Sequence, residues 1–333
     1  MNAYRIKRDV AAICGLLKWK WSHINPGLYI FNFHRIGDAE LTPFDPNVFS
    51  ANEQQFKTQI EIISRRFRVI GISELSKLIE SGEQFIEPLA MITFDDGYED
   101  NYSHSLPVLQ TYEIPATFFV STDFIGNTDF PWWEKVAWMI HHTERDSINL
   151  AGMESPVDID KSCMGLVIQK VLRHFKDFGG NTIEDKLKNL ESECDVEFKF
   201  NPSEPLFMSW DQVSELQRHG MDIGSHTCSH KILSHLDVNE QKAELSESKS
   251  ILERRLGTEV SSLAYPVGGV DAYTEETASI AQECGYRLAF TFPRGGGVSH
   301  RAVTDRFAIP RLSLEPEFKL ADIQYSVASA PRL

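Results

Sequence analysis

The sequence predicts an α/β protein built on a parallel sheet or a (β/α) barrel, with one helical insertion. Three observations carry that expectation. From about residue 29, short apolar runs alternate with stretches of helical periodicity, the pattern of strands joined by helical crossovers. With 42% hydrophobic and 24% charged residues, the composition supplies a large core and excludes disordered, collagen-like and coiled-coil classes. Between about 127 and 205 the rhythm gives way to a mostly helical segment, too long to be a simple connection.

Taken in order, residues 28–33 read as a first strand and 52–67 as a helix. Phe56, Ile60 and Ile63 lie on one face of that helix, and Ser50 is its expected cap. A helix over 73–79 follows, then a buried strand over 89–94 that runs into Asp95-Asp96-Gly97. A helix over 102–112 and a strand over 116–121 complete the first half. In the insertion, Met164, Val167, Ile168, Val171, Leu172 and Phe175 mark one apolar helical face. The segment either walls a substrate groove or packs by itself. Strands are expected over 221–224, 262–265 and 287–291, with helices over 239–256 and 275–284 between them. No internal repeat is evident.

Charge and cysteine content narrow the function. Lys plus Arg number 33 against 48 Asp plus Glu, a net charge of −15, which disfavours general nucleic-acid binding. No apolar run approaches the ~18 residues of a spanning helix. The five cysteines, Cys14, Cys163, Cys194, Cys228 and Cys284, are widely spaced with no C-x-x-C pair, which fits a reducing compartment. Residues 1–21 stand apart: five basic residues against Asp9 give them +4 and leave the remainder at −19. Ile6, Val10, Ile13, Cys14, Leu17 and Trp21 recur at helical spacing. Lys18-Trp19-Lys20-Trp21 occupies the place of a cleavage site, against a secretory signal. Such a helix can rest on an anionic membrane surface or pack on its own domain. The expected location is cytoplasmic, with peripheral contact at the inner membrane surface under the first reading.

Chemistry concentrates in two motifs. In Thr93-Phe94-Asp95-Asp96-Gly97-Tyr98, two adjacent carboxylates at a strand end diverge, so one can bind a metal while the other acts as a base. The same tripeptide is also a common turn. In Gly224-Ser225-His226-Thr227-Cys228-Ser229-His230, histidines four apart share one face of a helical turn and can bind one ion. His pairs also occur on ordinary surfaces. His235 is less well spaced and reads as structural. Combined, one carboxylate and two histidines make a three-ligand site with open positions, beside an unligated carboxylate. That is equipment for metal-assisted hydrolysis.

The two motifs together resemble the polysaccharide deacetylases of carbohydrate esterase family four. Supporting stretches are Ser209-Trp210-Asp211, Leu263-Ala264-Tyr265-Pro266-Val267-Gly268, Cys284-Gly285-Tyr286 before Leu288-Ala289-Phe290-Thr291, and residues 306–312. The likeness covers about 28–315 and implies a deformed (β/α) barrel of about seven strands with its insertion at 127–205. An N-terminal amphipathic helix (1–27) and a C-terminal tail (316–333) flank it. It further implies a metal-dependent N-deacetylase acting on an N-acetylhexosamine-containing glycan. Asp96, His226 and His230 become ligands of one divalent ion, Zn²⁺ by expectation, with Co²⁺ or Ni²⁺ as alternatives. Asp95 becomes the base, and the backbone N–H of Tyr98 an oxyanion donor. Tyr265 and Pro266 are expected to line the substrate groove.

Two departures from the family pattern matter. Ala264-Tyr265-Pro266 lacks the arginine that orients the base, and Arg311 is the candidate replacement, against an ordinary surface ion pair. The late Leu-x-x-His carrying the general acid is also missing. First and last strands of a closed barrel are neighbours, and residues 32–36 resemble the first strand of poly-N-acetylglucosamine deacetylases. His34 is therefore the expected acid, against a histidine that only bonds nearby backbone; Arg35 is a poor proton donor. An amidohydrolase on a small amide and an inactive glycan-binding protein are the alternative functions.

Overall fold

A computed structural model describes residues 21–126, 129–176, 183–199, 205–293, 297–299, 301–314, 324, 325 and 327. Most of the expected N-terminal helix and C-terminal tail lies outside the described residues. Trp21 is within them: it is buried edge-on against Phe67, with ring centroids 6.1 Å apart, and Arg66 lies over its ring at 6.0 Å.

The chain forms two compact units. The first takes residues 1–37, 50–126 and 206–333; the second takes 38–49 and 127–205. The first unit is a nearly closed parallel barrel. Its strands are β1 (Gly27–Phe33), β2 (Pro88–Phe94), β3 (Thr117–Val120), β4 (Asp222–Ser225), β5 (Ser262–Ala264), β6 (Leu288–Thr291), β7 (Ile309–Pro310) and β8 (Leu312–Ser313). Their order is β7-β6-β5-β4-β3-β2-β1-β8, and a short strand, Arg68–Val69, pairs with β2. The eight strands reconcile with the expected seven at the closure. β7 pairs with β6 (Phe290 opposite Ile309), and after one residue β8 pairs with β1 (Phe31 opposite Leu312). The last crossing thus joins both edges of the sheet, and the residue between its halves is Arg311.

Strand alternation divides the core into two layers. Leu28 and Ile30 of β1, Leu89 and Met91 of β2, Phe119, Ala264, Leu288, Phe290 and Ile309 pack together inside the barrel. Residues of the other parity, such as Phe31, Phe33, Ile92, Phe94, Phe118 and Leu263, pack outward beneath the helices. Those helices include α1 (Glu53–Ser64), α2 (Ile72–Ser81) and α3 (Leu106–Thr111) in the first half. α2 lies at the N-terminal end of the strands: Asp222, which opens β4, accepts the N–H of Ile72 at 2.9 Å. The cap of α1 is Asn52, not Ser50, in a reciprocal capping box with Gln55. Ser50 instead accepts the N–H of His34 at 2.9 Å.

The second unit contains α4 (Trp132–His142), α5 (Met164–Lys176) and α6 (Ile183–Cys194). The apolar face read from the sequence of α5 packs on Val136, Ala137, Met139 and Ile140 of α4, with Trp132 stacked on Phe175 at 5.8 Å. Residues 38–49 join this unit through polar ties. Asp45 N–H donates to the fully buried Glu134 at 2.8 Å, and Asn47 Nδ2 donates to the Gly165 carbonyl at 3.0 Å. The barrel resumes with α7 (Trp210–Arg218), α8 (Val238–Leu256) and α9 (Glu275–Glu283).

Candidate metal and catalytic site

The inward parity of the strands, continued past the apolar layer, supplies the site. After Leu28 and Ile30 come Asn32 and His34. After Leu89 and Met91 come Thr93 and Asp95, and Arg311 follows Ile309. Polar side chains thus cap the hydrophobic interior at the C-terminal ends of the strands, where loops give access to ligands.

Asp95 is gripped from several sides. Arg311 Nη1 donates to Oδ1 at 2.7 Å and Nη2 to Oδ2 at 2.8 Å, a bidentate pair with both groups buried. Asn32 Nδ2 donates to Oδ2 at 3.0 Å, while Asn32 Oδ1 accepts from Arg311 Nη1 at 2.7 Å and from Thr93 Oγ1 at 2.6 Å. Burial alone would raise the Asp95 pKa. The Arg311 charge overrides it, with His226 and His34 acting in the same direction, and holds the carboxyl well below the usual range. Asp95 is therefore ionised across the neutral range. Arg311 is no surface ion pair.

The divergence of the two aspartates comes from a left-handed turn. Asp96 has φ +73° and Gly97 φ +91°. The positive φ is what calls for glycine at 97; a Cβ there would also press on Ile125 Cδ1 at 2.8 Å and Val120 Cγ1 at 3.2 Å, which would have to give way. Asp96 Oδ1 lies 3.5 Å from His226 Nε2 and 3.4 Å from His230 Nε2. His226 Nδ1 meets the Ala264 carbonyl at 2.7 Å, which places the proton on Nδ1 and leaves the Nε2 lone pair toward Asp96. Burial pushes the His226 pKa down to about 4, and burial with the neighbouring His226 pushes His230 well below the ordinary value. Both rings are neutral at physiological pH, the ligating form.

The histidines do not share a helical turn, contrary to the sequence reading. Thr227 (φ +66°) and His230 (φ +56°) are left-handed, and the loop folds back so that His230 N–H donates to Thr227 Oγ1 at 3.1 Å. Spacing of four suggested the right proximity through the wrong local geometry. His235 lies outside the cluster of Asp96, His226 and His230, whose donor atoms all fall within 4.8 Å of one another. An ion with N and O ligands at about 2.1 Å in tetrahedral arrangement sets them roughly 3.4 Å apart. The observed spacing and the neutral imidazoles both fit such an ion.

His34 Nε2 lies 3.9 Å from Asp95 Oδ2, and its side chain is 33% exposed. Its backbone is fixed on both sides, by Ser50 and by Asn101 Nδ2, which donates to the His34 carbonyl at 2.6 Å. Asn101 opens a π-helical stretch running to Ser105. Asp100 accepts from Arg35 Nε at 2.8 Å and from Ile36 N–H at 2.9 Å, which engages Arg35 away from Asp95. Burial lowers the His34 pKa and Arg311 adds to this, with Asp95 opposing.

Tyr98 follows the aspartate turn. Its ring is buried and stacked on Phe207 at 4.8 Å, with Arg35 5.1 Å from its centroid, so the ring is engaged in packing and lines no open groove. Tyr265 is corrected by the same parity that builds the site. It shares the outward register of Leu263 and is fully buried, stacked on Tyr273 at 4.4 Å, and its hydroxyl donates to the Phe307 carbonyl at 3.1 Å. Pro266 is also buried, so neither lines an open groove. Asn32 was missed because a lone asparagine in an apolar strand carries no motif. Its inward register is the signal that could have found it.

The family model described as polysaccharide deacetylase matches residues 83–289, which include both motifs but not Asn32, His34 or Arg311. The chain is 22% identical over 250 residues to YxkH of Bacillus subtilis, covering 75% of this chain and 60% of that protein. It is 36% identical over 83 residues to the poly-beta-1,6-N-acetyl-D-glucosamine N-deacetylase of Staphylococcus epidermidis, covering 25% of this chain and 28% of that one. The matches thus span less than two thirds of either relative. Among solved structures, the Streptococcus pyogenes deacetylase PplD aligns with TM-score 0.59 and 18% identity over 91% of this chain and 99% of its own. IcaB from Ammonifex degensii aligns with TM-score 0.55 and 17% identity over 92% and 98%. These two establish the barrel fold. With the family model covering more than half of its length, the chain belongs to the polysaccharide deacetylase family.

Proposed function

We propose that the protein is a metal-dependent N-deacetylase acting on an N-acetylhexosamine-containing glycan, with one divalent ion, Zn²⁺ first and Co²⁺ or Ni²⁺ as substitutes. The observation that carries this reading is the pairing of two unlike carboxylates at one strand end. Asp96 converges with two neutral histidines, while Asp95 is held by Arg311 and Asn32. Asp96, His226 and His230 would hold the ion. When bound, such an ion lowers the pKa of water and polarises an amide carbonyl.

The chain's own groups supply the proton transfers. Asp95, ionised and fixed by its bidentate partner, takes the proton of the attacking water. His34 is neutral at rest, so the proton it delivers to the leaving amine comes by way of Asp95, 3.9 Å away. The one-third exposure of His34 lets its ring reach a bound substrate. The backbone N–H of Tyr98, beside the aspartate turn, is assigned to the developing oxyanion. Similarity to the staphylococcal enzyme favours a β-1,6-linked N-acetylglucosamine polymer over chitin-like chains.

The test is acetate release from N-acetylated glycans and from small amides, before and after chelation, with Zn²⁺, Co²⁺ or Ni²⁺ restored. Release from glycans that disappears with chelator and returns with metal supports the reading. Release from small amides alone would move the protein to the amidohydrolases. Metal-loaded protein that binds glycan without releasing acetate would make it a binding protein.

A further inference from the structure

Both histidines of the site sit on one short loop, residues 226–230, whose backbone is left-handed at Thr227 and His230. Non-glycine residues in that region cost of order 1 kcal/mol or more each, so something outside the loop must hold it. His226 is fixed by the Ala264 carbonyl, on the strand beside it. The middle of the loop is held from the other side, by α8. Glu244 Oε2 accepts the N–H of Cys228 at 2.9 Å and the N–H of Ser229 at 2.9 Å, and Oε1 accepts the Ser229 hydroxyl. Four residues along, on the same face of the helix, Ser248 Oγ meets Ser225 Oγ at 2.8 Å. α8 thus grips the segment immediately before His226 and immediately before His230.

We infer that Glu244 is a positioning residue for the metal centre, setting the loop on which His226 and His230 converge with Asp96. This rests on the metal-site reading above. Glu244 is 9% exposed and does not touch the ligand cluster. Its carboxylate satisfies the buried amide of Cys228 together with the partly buried amide and hydroxyl of Ser229. The surface cation nearest to it, Lys231, is 4.0 Å away and 60% exposed, so it adds little. A glutamate in the middle of a helix whose first turn is capped by Asp237 has no helical reason to point inward. Its three bonds to one loop supply that reason.

The test measures binding of Zn²⁺ alone, by chelator competition, to the wild type and to Glu244→Gln, Glu244→Ala, Ser229→Ala and Lys231→Ala, with folding checked by circular dichroism. The visible spectrum of each Co²⁺-loaded form reports the ligand geometry. Loss of a group that orients metal ligands costs about 10–100-fold in affinity. Glu244→Ala is expected in that range, Glu244→Gln and Ser229→Ala several-fold weaker than wild type, and Lys231→Ala within about twofold. The Co²⁺ spectrum should change in the Glu244 variants. Folded Glu244→Ala with wild-type Zn²⁺ affinity and spectrum overturns the inference. Should that variant not fold, Glu244→Gln and Ser229→Ala decide it by the same readouts. A wild type that binds no divalent ion overturns the metal reading itself, and with it this inference.

Discussion

Arg311→Met probes the Asp95 clamp directly. The arginine is 1% exposed and donates two hydrogen bonds to Asp95 and one to Asn32. Methionine fills much of the volume but leaves a buried carboxylate facing no cation. Breaking a buried pair from one side costs about 3–5 kcal/mol. With an unfolding entropy of about 2.1 cal/mol/K per residue, a 333-residue chain gives roughly 0.7 kcal/mol/K, so Tm falls by about 4–7 °C.

The pH dependence has a definite sign. In the wild type the Asp95 pKa lies below its unfolded value of 3.8, so its contribution to stability is complete above that pH and is lost as pH falls through the depressed value. In the variant, burial acts unopposed by Arg311 and the carboxyl moves up. The variant should therefore recover stability relative to wild type as pH falls from neutral toward 5. The acid limb of its kcat profile should move to higher pH, with turnover down about 10²-fold or more at pH 7 and partly restored in base. Adding Asp95→Asn to Arg311→Met removes the unpaired charge and should return much of the lost Tm without activity. Calorimetry of the metal-free proteins and acetate release from pH 5 to 9 measure both effects. An Arg311→Met protein with unchanged Tm and an unchanged acid limb would refute the clamp.

Asp95→Asn alone should keep Zn²⁺ bound, by elemental analysis, while turnover falls by about 10²-fold or more. His34→Ala is expected to lose a similar factor in kcat with metal content and circular dichroism unchanged; wild-type turnover would leave the acid unassigned. The metal-free wild type should lose stability below about pH 6.5, because the unfolded chain takes up protons that His226, shifted down to about 4, refuses in the fold. For His226 alone this amounts to roughly 3 kcal/mol by pH 4, and bound Zn²⁺ should steepen the dependence; a flat denaturation midpoint from pH 7 to 5 would contradict it. Removing residues 1–20, which keeps Trp21 against Phe67, should weaken binding to anionic vesicles at low salt and spare hydrolysis of a soluble glycan; equal binding by both forms would end the membrane-surface reading.

The barrel was legible because β-strand parity and helical periodicity leave one-dimensional traces. The long apolar face of α5 is one such trace, and the inward run from Leu89 through Met91 and Thr93 to Asp95 is another. Residues 38–49 left none. They join the second unit through Asp45 with Glu134 and Asn47 with Gly165, polar pairs 89 and 118 positions apart. No local pattern encodes such contacts. The helical reading of 226–230 failed for the complementary reason. Spacing of four fixes how far apart two side chains can be, while the left-handed residues that bring them together are set by Glu244 and Thr227.

The closure of the barrel explains why the base is served by residues so far from it in sequence. Asp95 at the end of β2 faces inward and needs a cation at the same height. β1 pairs with β2 along its whole length and places Asn32 beside Thr93. The other neighbour of β1 is β8, where Asn32 lies opposite Ser313, and β7 on the far side of Arg311 pairs with β6. The residue at the break between β7 and β8 is thus the one position where the chain passes from one edge of the sheet to the other. An arginine there can reach Asn32 at 2.7 Å and Asp95 at 2.7 and 2.8 Å together. The same bonds that orient the base tie the first and last strands across the seam. Asn32→Leu should accordingly lower Tm and kcat together, and Asp95→Asn, which leaves the buried Arg311 charge without its carboxylate, should lower both as well. An Asn32→Leu protein that loses kcat with Tm unchanged, or Tm with kcat unchanged, would show that closure and catalysis are not shared by this network.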